Sequence, residues 1–128
     1  MSAPAAGDTF TAERTFTVAM VEAFTAVSGD AGAHHVVPDD QGRLLVHGLL
    51  VASLATEIGG RLDYLARVLD FEFLRPVRTG DTVRVTMQVD EAIAEPGRTR
   101  LRLSGHGVNQ VGKEVMTVRS TGVILARG

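Results

Sequence analysis

The feature that most constrains the fold is residues 46–58, a run that is apolar on nearly every side. A surface helix has one apolar stripe, whereas a helix that is apolar all round must be enclosed by other elements. The run stops at Gly59-Gly60, which is typical of a helix C-terminus. Its polar members are Ser53, Thr56 and Glu57. The sequence therefore predicts one long helix buried in the centre of the domain.

After this helix, apolar residues alternate with polar ones, which is the period of strands with one solvated face. The alternation covers residues 69–74, 83–90, 100–103 and 114–125, and predicts four successive antiparallel strands. An antiparallel sheet with one apolar face can wrap around a buried helix, so the fold class is predicted to be α+β. A sheet this small leaves edge strands that dimerisation could cover.

The N-terminal part of the chain is predicted to hold a tail, a short strand and a first helix. Residues 1–8 are small and flexible in composition and predict a frayed tail before a single domain over residues 9–128. A strand is predicted near Phe10 and Phe16. Thr17 can then cap a helix that continues to Ser28 and ends at Gly29. Residues 30–43 show no period and contain several turn formers, which predicts a long irregular segment.

Composition excludes several classes of function. A chain of 128 residues with 45% hydrophobic content and a net charge of −2 can build one core but has no broad attraction for nucleic acid or anionic membranes. The absence of cysteine excludes disulfides and sulfur-based zinc sites. No stretch approaches the ~20 apolar residues of a membrane span, and the first residues lack the pattern of a secretory signal. We therefore expect a cytoplasmic protein that binds neither nucleic acid nor membrane.

Asp30 and His35 are the first candidates for chemistry, because they lie in the irregular segment between the two predicted helices. A carboxylate and an imidazole that share one water form an acid/base pair, since histidine titrates near neutral pH. The alternative is structural. Asp30 would cap a turn, and His35 would be a surface histidine.

The start of the buried helix is a second candidate. The sequence Val46-His47-Gly48-Leu49-Leu50 places a glycine at its first turn, where backbone N–H groups and the helix dipole could stabilise negative charge on a carbonyl oxygen. Alternatively, Gly48 only permits close packing. Ser53 follows on the same helix, and its hydroxyl either lines a substrate pocket or bonds the carbonyl four residues earlier.

His34, His35 and His47 lie close together in the sequence and are candidate metal ligands. Adjacent histidines tend to point apart, and no zinc-ligand spacing is present. We therefore predict no metal and no other cofactor.

Four segments resemble one known family, the MaoC-like dehydratases and (R)-specific enoyl-CoA hydratases of the hot-dog superfamily. They are Phe24-Thr25-Ala26-Val27-Ser28-Gly29-Asp30 with His35 five residues later, Val46-His47-Gly48-Leu49-Leu50-Val51-Ala52-Ser53, Phe73-Leu74-Arg75-Pro76-Val77-Arg78-Thr79-Gly80-Asp81-Thr82 and Val108-Asn109-Gln110-Val111-Gly112. The family usually has Asn-Pro between the Asp and the His, where this chain has Gly32-Ala33, and the following loop is shorter here.

The resemblance implies a hot-dog fold, an antiparallel sheet around a long central helix, and a homodimer with its active site at the interface. It implies a lyase of fatty acid or polyketide metabolism, a hydratase or dehydratase acting on a 2-enoyl or 3-hydroxyacyl thioester of CoA or acyl carrier protein. In that reading Asp30 and His35 are catalytic, and the substrate contacts are His47, Gly48, Leu49 and Ser53. An acyl thioesterase and a non-catalytic hot-dog subunit remain the alternatives.

Overall fold

The computed structural model describes residues 3–127 of the chain. Within them, five strands and three helices follow one another along the chain. They are β1 (Thr9–Thr15), α1 (Val18–Ser28), α2 (Ala33–Val36), α3 (Gly48–Arg61), β2 (Tyr64–Phe73), β3 (Thr82–Glu95), β4 (Arg98–Asn109) and β5 (Glu114–Leu125). The predicted α+β class is confirmed. None of the helices in this part of the chain is long and apolar enough to cross a membrane.

All five strands form one antiparallel sheet in the order β1-β3-β4-β5-β2. The prediction of four successive strands is correct for their positions but wrong for their pairing, because β2 pairs with β5 and not with β3. The chain between β2 and β3 does not form a hairpin. It passes the segment before α3, where the Val46 N–H donates to the Val77 carbonyl and Leu45 bridges to Arg78. Only β3, β4 and β5 form a meander.

The central helix α3 packs against the sheet through a buried face. Leu54 and Ile58 are almost fully enclosed, and the apolar side chains of β3, β4 and β5 complete the core. Burial of such side chains contributes about 1.5–3 kcal/mol each. Two details differ from the sequence prediction. Leu49 is 65% exposed, and α3 continues through Gly59-Gly60 to Arg61.

The first helix begins and ends as predicted. The Thr17 hydroxyl accepts a hydrogen bond from the Met20 N–H at 3.2 Å, which satisfies a backbone donor of the first turn. Gly29 has the left-handed φ of 76° and donates its N–H to the Thr25 carbonyl. These caps fix the point at which the chain leaves α1, and Asp30 is the next residue.

Part of the predicted N-terminal tail contacts the sheet. The Gly7 N–H donates to the Val89 carbonyl at 2.8 Å, and the Val89 N–H donates to the Asp8 carbonyl at 2.9 Å. The Ala5 N–H donates to the Asp8 carboxylate. These contacts extend the pairing of β1 with β3 towards the N-terminus, while Met1 and Ser2 of the predicted tail lie outside the described residues.

Candidate active site

Asp30 and His35 meet at the N-terminal end of α3. Asp30 follows the glycine that ends α1, and His35 lies on the single turn of α2. The Asp30 Oδ2 atom is 3.5 Å from the His35 Nε2 atom. This distance is too long for a strong direct hydrogen bond and leaves both groups able to contact a common water.

The His35 ring is buried and its orientation is fixed. Its Nδ1 atom is 2.7 Å from the Leu45 carbonyl oxygen, and only 6% of the side chain is exposed. Because a carbonyl only accepts, Nδ1 carries a proton, and the Nε2 atom on the other side of the ring faces the Asp30 carboxylate. The surface histidine considered from the sequence is therefore wrong for His35, whereas the neighbouring His34 is exposed.

The Asp30 carboxylate is held by its own turn and is open to solvent. Its Oδ1 atom accepts a hydrogen bond from the Gly32 N–H at 3.2 Å, and its backbone N–H donates to the Ser28 hydroxyl. The side chain is 55% exposed. Asp30 thus does cap a turn, as the structural alternative expected, but the cap uses one oxygen and leaves Oδ2 for His35 and water.

His47 lies behind this pair. Its ring is 2% exposed and stacks on the His35 ring, with centroids 3.7 Å apart and an interplanar angle of 17°. Its Nε2 atom is 3.0 Å from the Asp30 carbonyl oxygen and 3.2 Å from the Thr25 hydroxyl. Its Nδ1 atom is buried without a hydrogen-bond partner among residues 3–127. The predicted substrate residue is therefore enclosed by protein in this structure.

The first turn of α3 borders a cleft of about 340 Å³. His34, His35, Gly48, Phe73 and Arg75 are among the residues that line it. The Phe73 ring covers Gly48 so closely that an added Cβ would lie 3.1 Å from two ring atoms. Gly48 thus does permit close packing. The hydrogen bonds of the described residues include none donated by the N–H of Gly48 or Leu49, so two donors remain available at this end of the helix.

Ser53 lies further along α3, in a different cluster. Its hydroxyl donates to the Leu50 carbonyl at 2.6 Å and accepts from Arg14 Nη1 at 3.0 Å. The carbonyl partner is three residues earlier instead of four. Arg14 also pairs with Glu57 at 2.5 Å, and Glu57 pairs with Arg61. The structure therefore joins Ser53 to an ion-pair network and not to Asp30 and His35.

The histidine cluster has some features of a metal site. Asp30, His35 and His47 each offer a ligand atom within 4.8 Å of the others, so the convergent group includes Asp30 and not His34, which the sequence had brought into consideration. The rings of His35 and His47 are nearly parallel, however, and their in-plane lone pairs do not converge on one point. His47 Nε2 is also engaged with the Asp30 carbonyl. This geometry favours proton transfer over metal ligation.

Three neighbours of the site were not singled out from the sequence. Thr25 and the Leu45 carbonyl orient the two buried histidines, and Phe73 covers Gly48. The position of Thr25, one helical turn before Gly29, could have indicated that it lies close to Asp30. A backbone carbonyl carries no sequence signal, and the contact with Phe73 depends on the pairing of β2 with β5.

Comparison with known proteins gives matches in structure alone. No protein-family model and no curated protein matches the sequence significantly. The (R)-hydratase PhaJ1 from Pseudomonas aeruginosa superimposes with a TM-score of 0.84 at 21% identity, covering 98% of this chain and 84% of that one. The (R)-hydratase of A. caviae involved in PHA biosynthesis gives 0.80 at 26% identity, covering 98% and 100%.

A third neighbour is the MaoC-like dehydratase from Rhodospirillum rubrum, with a TM-score of 0.75, 22% identity and coverage of 98% and 95%. These matches extend over nearly the whole chain. The resemblance inferred from the sequence motifs is thus confirmed in structure: the chain has the hot-dog fold, and its structural neighbours are (R)-hydratases and MaoC-like dehydratases.

Proposed function

We propose that this protein is a hydro-lyase that adds water to a 2-enoyl thioester or removes it from a 3-hydroxyacyl thioester. The observation that carries the proposal is the 3.5 Å approach of Asp30 Oδ2 and His35 Nε2 beside a cleft at the N-terminal end of α3. The names of the structural neighbours, hydratases and dehydratases, support the same class of reaction.

In the hydration direction, the pair holds one water between Oδ2 and Nε2. One member removes a proton from this water, and the oxygen then forms a bond to the β-carbon of the enoyl group. The electron pair of the double bond moves towards the α-carbon and the thioester oxygen. A proton returned by the pair to the α-carbon completes the 3-hydroxyacyl product. General acid/base transfer of this kind contributes about 10²–10⁴-fold to the rate.

The thioester oxygen gains negative charge during this reaction and needs donors. In the proposal, the backbone N–H groups of Gly48 and Leu49 supply them, helped by the positive end of the α3 dipole. The exposed Leu49 side chain then offers an apolar contact to the substrate. A role of Ser53 in the acyl pocket has less support, because its hydroxyl already bonds Leu50 and Arg14.

The proposed substrate is carried by CoA or acyl carrier protein, and the proposed assembly is a homodimer. Its support is β2, an edge strand whose apolar residues Leu65, Val68 and Leu69 are 52%, 55% and 45% exposed. Pairing of β2 with a second copy would cover these residues and the free backbone groups of the edge. The molar mass in solution, measured by light scattering, tests this part of the proposal.

The test of the reaction combines two assays on trans-2-butenoyl-CoA. Loss of the enoyl absorbance reports hydration, and appearance of free thiol reports thioester hydrolysis. The wild-type protein should consume the enoyl group without releasing thiol. His35→Ala should lower turnover by about 10²–10⁴-fold, since it removes one member of the pair.

His106→Ala is the matched control, because it removes an exposed histidine on β4 that does not line the cleft. It should retain most of the turnover. Thiol release in place of hydration would identify a thioesterase. If the wild type consumes none of a series of enoyl thioesters, a non-catalytic subunit becomes the better explanation, and full activity of His35→Ala would end the assignment of His35.

A further inference from the structure

We propose that His47 is a positioning residue that acts through Asp30 and His35 as a neutral, fully enclosed ring. The inference deepens the proposed function and rests on it. His47 contacts both members of the pair, one through a hydrogen bond and the other through stacking. With 2% of its surface exposed, it does not reach a substrate in the cleft.

The first contact holds the turn that carries Asp30. The His47 Nε2 atom lies 3.0 Å from the Asp30 carbonyl oxygen, which belongs to the residue directly after the glycine that ends α1. The same nitrogen is 3.2 Å from the Thr25 hydroxyl on α1. Through these contacts His47, the N-cap residue of α3, connects the start of α3 to the turn that carries Asp30, 17 residues earlier in the sequence.

The second contact holds the plane of His35. The two rings are stacked at 3.7 Å, and the Phe24 ring of α1 contacts His47 at 4.9 Å with its plane tilted by 57°. His35 is also bonded through Nδ1 to the Leu45 carbonyl. The hydrogen bond alone would leave the ring free to rotate about it, and stacking on His47 removes that freedom. The Nε2 atom is thus kept towards Asp30.

The contacts also define the tautomer of His47. The Asp30 carbonyl only accepts hydrogen bonds, so Nε2 carries the proton. Nδ1 is buried and has no partner among residues 3–127. A second proton there would be a buried charge without an acceptor, which is strongly unfavourable. His47 is therefore the neutral Nε2–H form.

A neutral ring suits this place. Where His35 is the member of the pair that takes up the proton, it becomes positively charged at 3.7 Å from the His47 ring. A second imidazolium at that distance would oppose the proton transfer by charge repulsion. The neutral ring stacks without that repulsion. His47 thus keeps the geometry of the pair while leaving the charge change to His35.

Two substitutions separate the two contacts. His47→Gln keeps an amide donor for the Asp30 carbonyl but loses the ring, and His47→Phe keeps a ring for stacking but loses the donor. If the hydrogen bond positions Asp30, His47→Phe should lower kcat by about 10²-fold, the cost of a misplacement of about 1 Å, with little change in KM. His47→Gln should recover the part of this loss that comes from the hydrogen bond to Asp30, and keep the part that comes from the lost stacking on His35. Wild-type activity in both variants would overturn the proposal, and so would a raised KM at unchanged kcat in His47→Phe.

Two measurements do not depend on turnover. Nitrogen-15 NMR of the histidine rings in the wild-type protein should show the Nε2–H tautomer of His47 at neutral pH, and an Nδ1–H tautomer or a doubly protonated ring would overturn the assignment. Amide exchange at Gly32, whose N–H bonds the Asp30 carboxylate, should accelerate in His47→Phe and not in His47→Gln. An inactive wild type with the expected tautomer and exchange would refute the proposed reaction while leaving the positioning contacts intact. Unchanged exchange in both variants would refute the positioning role.

Discussion

Two polar clusters lie along α3 and differ in how fully their members are paired. The N-terminal cluster consists of Thr25, Asp30, His35 and His47, and the mid-helix cluster consists of Arg14, Ser53, Glu57 and Arg61. In the mid-helix cluster, both Glu57 oxygens accept from arginines at 2.5 Å. In the N-terminal cluster, the Asp30 carboxylate and the His35 ring are 3.5 Å apart and the carboxylate side chain is 55% exposed.

The difference indicates which cluster can take part in chemistry. Hydrogen bonds from Arg61 and Arg14 lower the pKa of Glu57 against the opposing effect of burial, so its carboxylate stays ionised and paired. Such a group has no free capacity to bind or exchange a proton with a substrate. Asp30 keeps one oxygen for water, and His35 keeps one nitrogen. We therefore expect substitutions in the N-terminal cluster to lower activity, and substitutions in the mid-helix cluster to lower stability.

The largest expected effect is that of Asp30→Asn on turnover. The change preserves shape and the bond from the Gly32 N–H but removes the charge of the acid/base pair. Turnover should fall by about 10²–10⁴-fold. The free energy of unfolding should change by less than about 0.5 kcal/mol, because the side chain is half exposed. Enoyl absorbance and urea titration measure the two quantities.

Asp40→Asn is the matched control for this prediction, since it removes an exposed carboxylate from the same loop. It should leave both turnover and stability near the wild-type values. Equal losses of turnover in the two variants would show that the charge of the loop matters and not the position of Asp30. A large loss of stability in Asp30→Asn would place Asp30 with the structural carboxylates.

A smaller effect, on stability, is expected at Asp81, another fully paired carboxylate. It accepts hydrogen bonds from Arg43, Gln110 and the Arg78 N–H at 2.7, 2.8 and 2.9 Å. Burial raises its pKa, but these bonds outweigh burial and bring the pKa below its ordinary value. Asp81→Asn should lower the free energy of unfolding at neutral pH by about 1–2 kcal/mol, allowing for partial screening by solvent.

The lowered pKa of Asp81 also predicts how this loss of stability depends on pH. A carboxylate with a lowered pKa in the folded state stabilises the protein above its unfolded pKa, and the contribution disappears as pH falls through the folded pKa. The difference between wild type and Asp81→Asn should therefore shrink in acid. Asp70→Asn, which alters an exposed carboxylate 3.8 Å from Arg119, is the control and should show little difference at any pH. A constant difference at all pH values for Asp81→Asn would contradict the assignment.

Local patterns in the sequence were sufficient to locate most elements of the fold. Thr17 and Gly29 defined the ends of α1 because capping depends on neighbouring residues only. The end of α3 was predicted too early at Gly59-Gly60, because glycine is typical of a helix C-terminus but does not by itself end a helix. The pairing of β2 with β5 was missed because it is a tertiary contact. Alternation indicates a strand but does not specify its neighbour.

The candidate site likewise depends on tertiary contacts that the sequence does not show. Spacing allowed Asp30 and His35 to meet, and the family motifs favoured it, but the bond from His35 to the Leu45 carbonyl and the stack on His47 appear only in three dimensions. The family resemblance implied that His47, Gly48, Leu49 and Ser53 are all substrate contacts. The helix separates them: the His47 ring lies behind His35, Leu49 is exposed and Ser53 faces Arg14 on β1.

The smallest expected effect, that of Ser53→Ala, decides to which cluster Ser53 belongs. Removal of the hydroxyl deletes the bond from Arg14 and should lower the free energy of unfolding by about 0.5–1.5 kcal/mol, partly offset by the better helix propensity of alanine. KM and kcat should stay at their wild-type values. Thr56→Ala is the control, because its hydroxyl donates only to the Ser53 carbonyl on the same helix, so stability should change little. A raised KM without a loss of stability would instead return Ser53 to the acyl pocket, because it would show that the hydroxyl contacts the substrate and that its bond to Arg14 contributes nothing measurable.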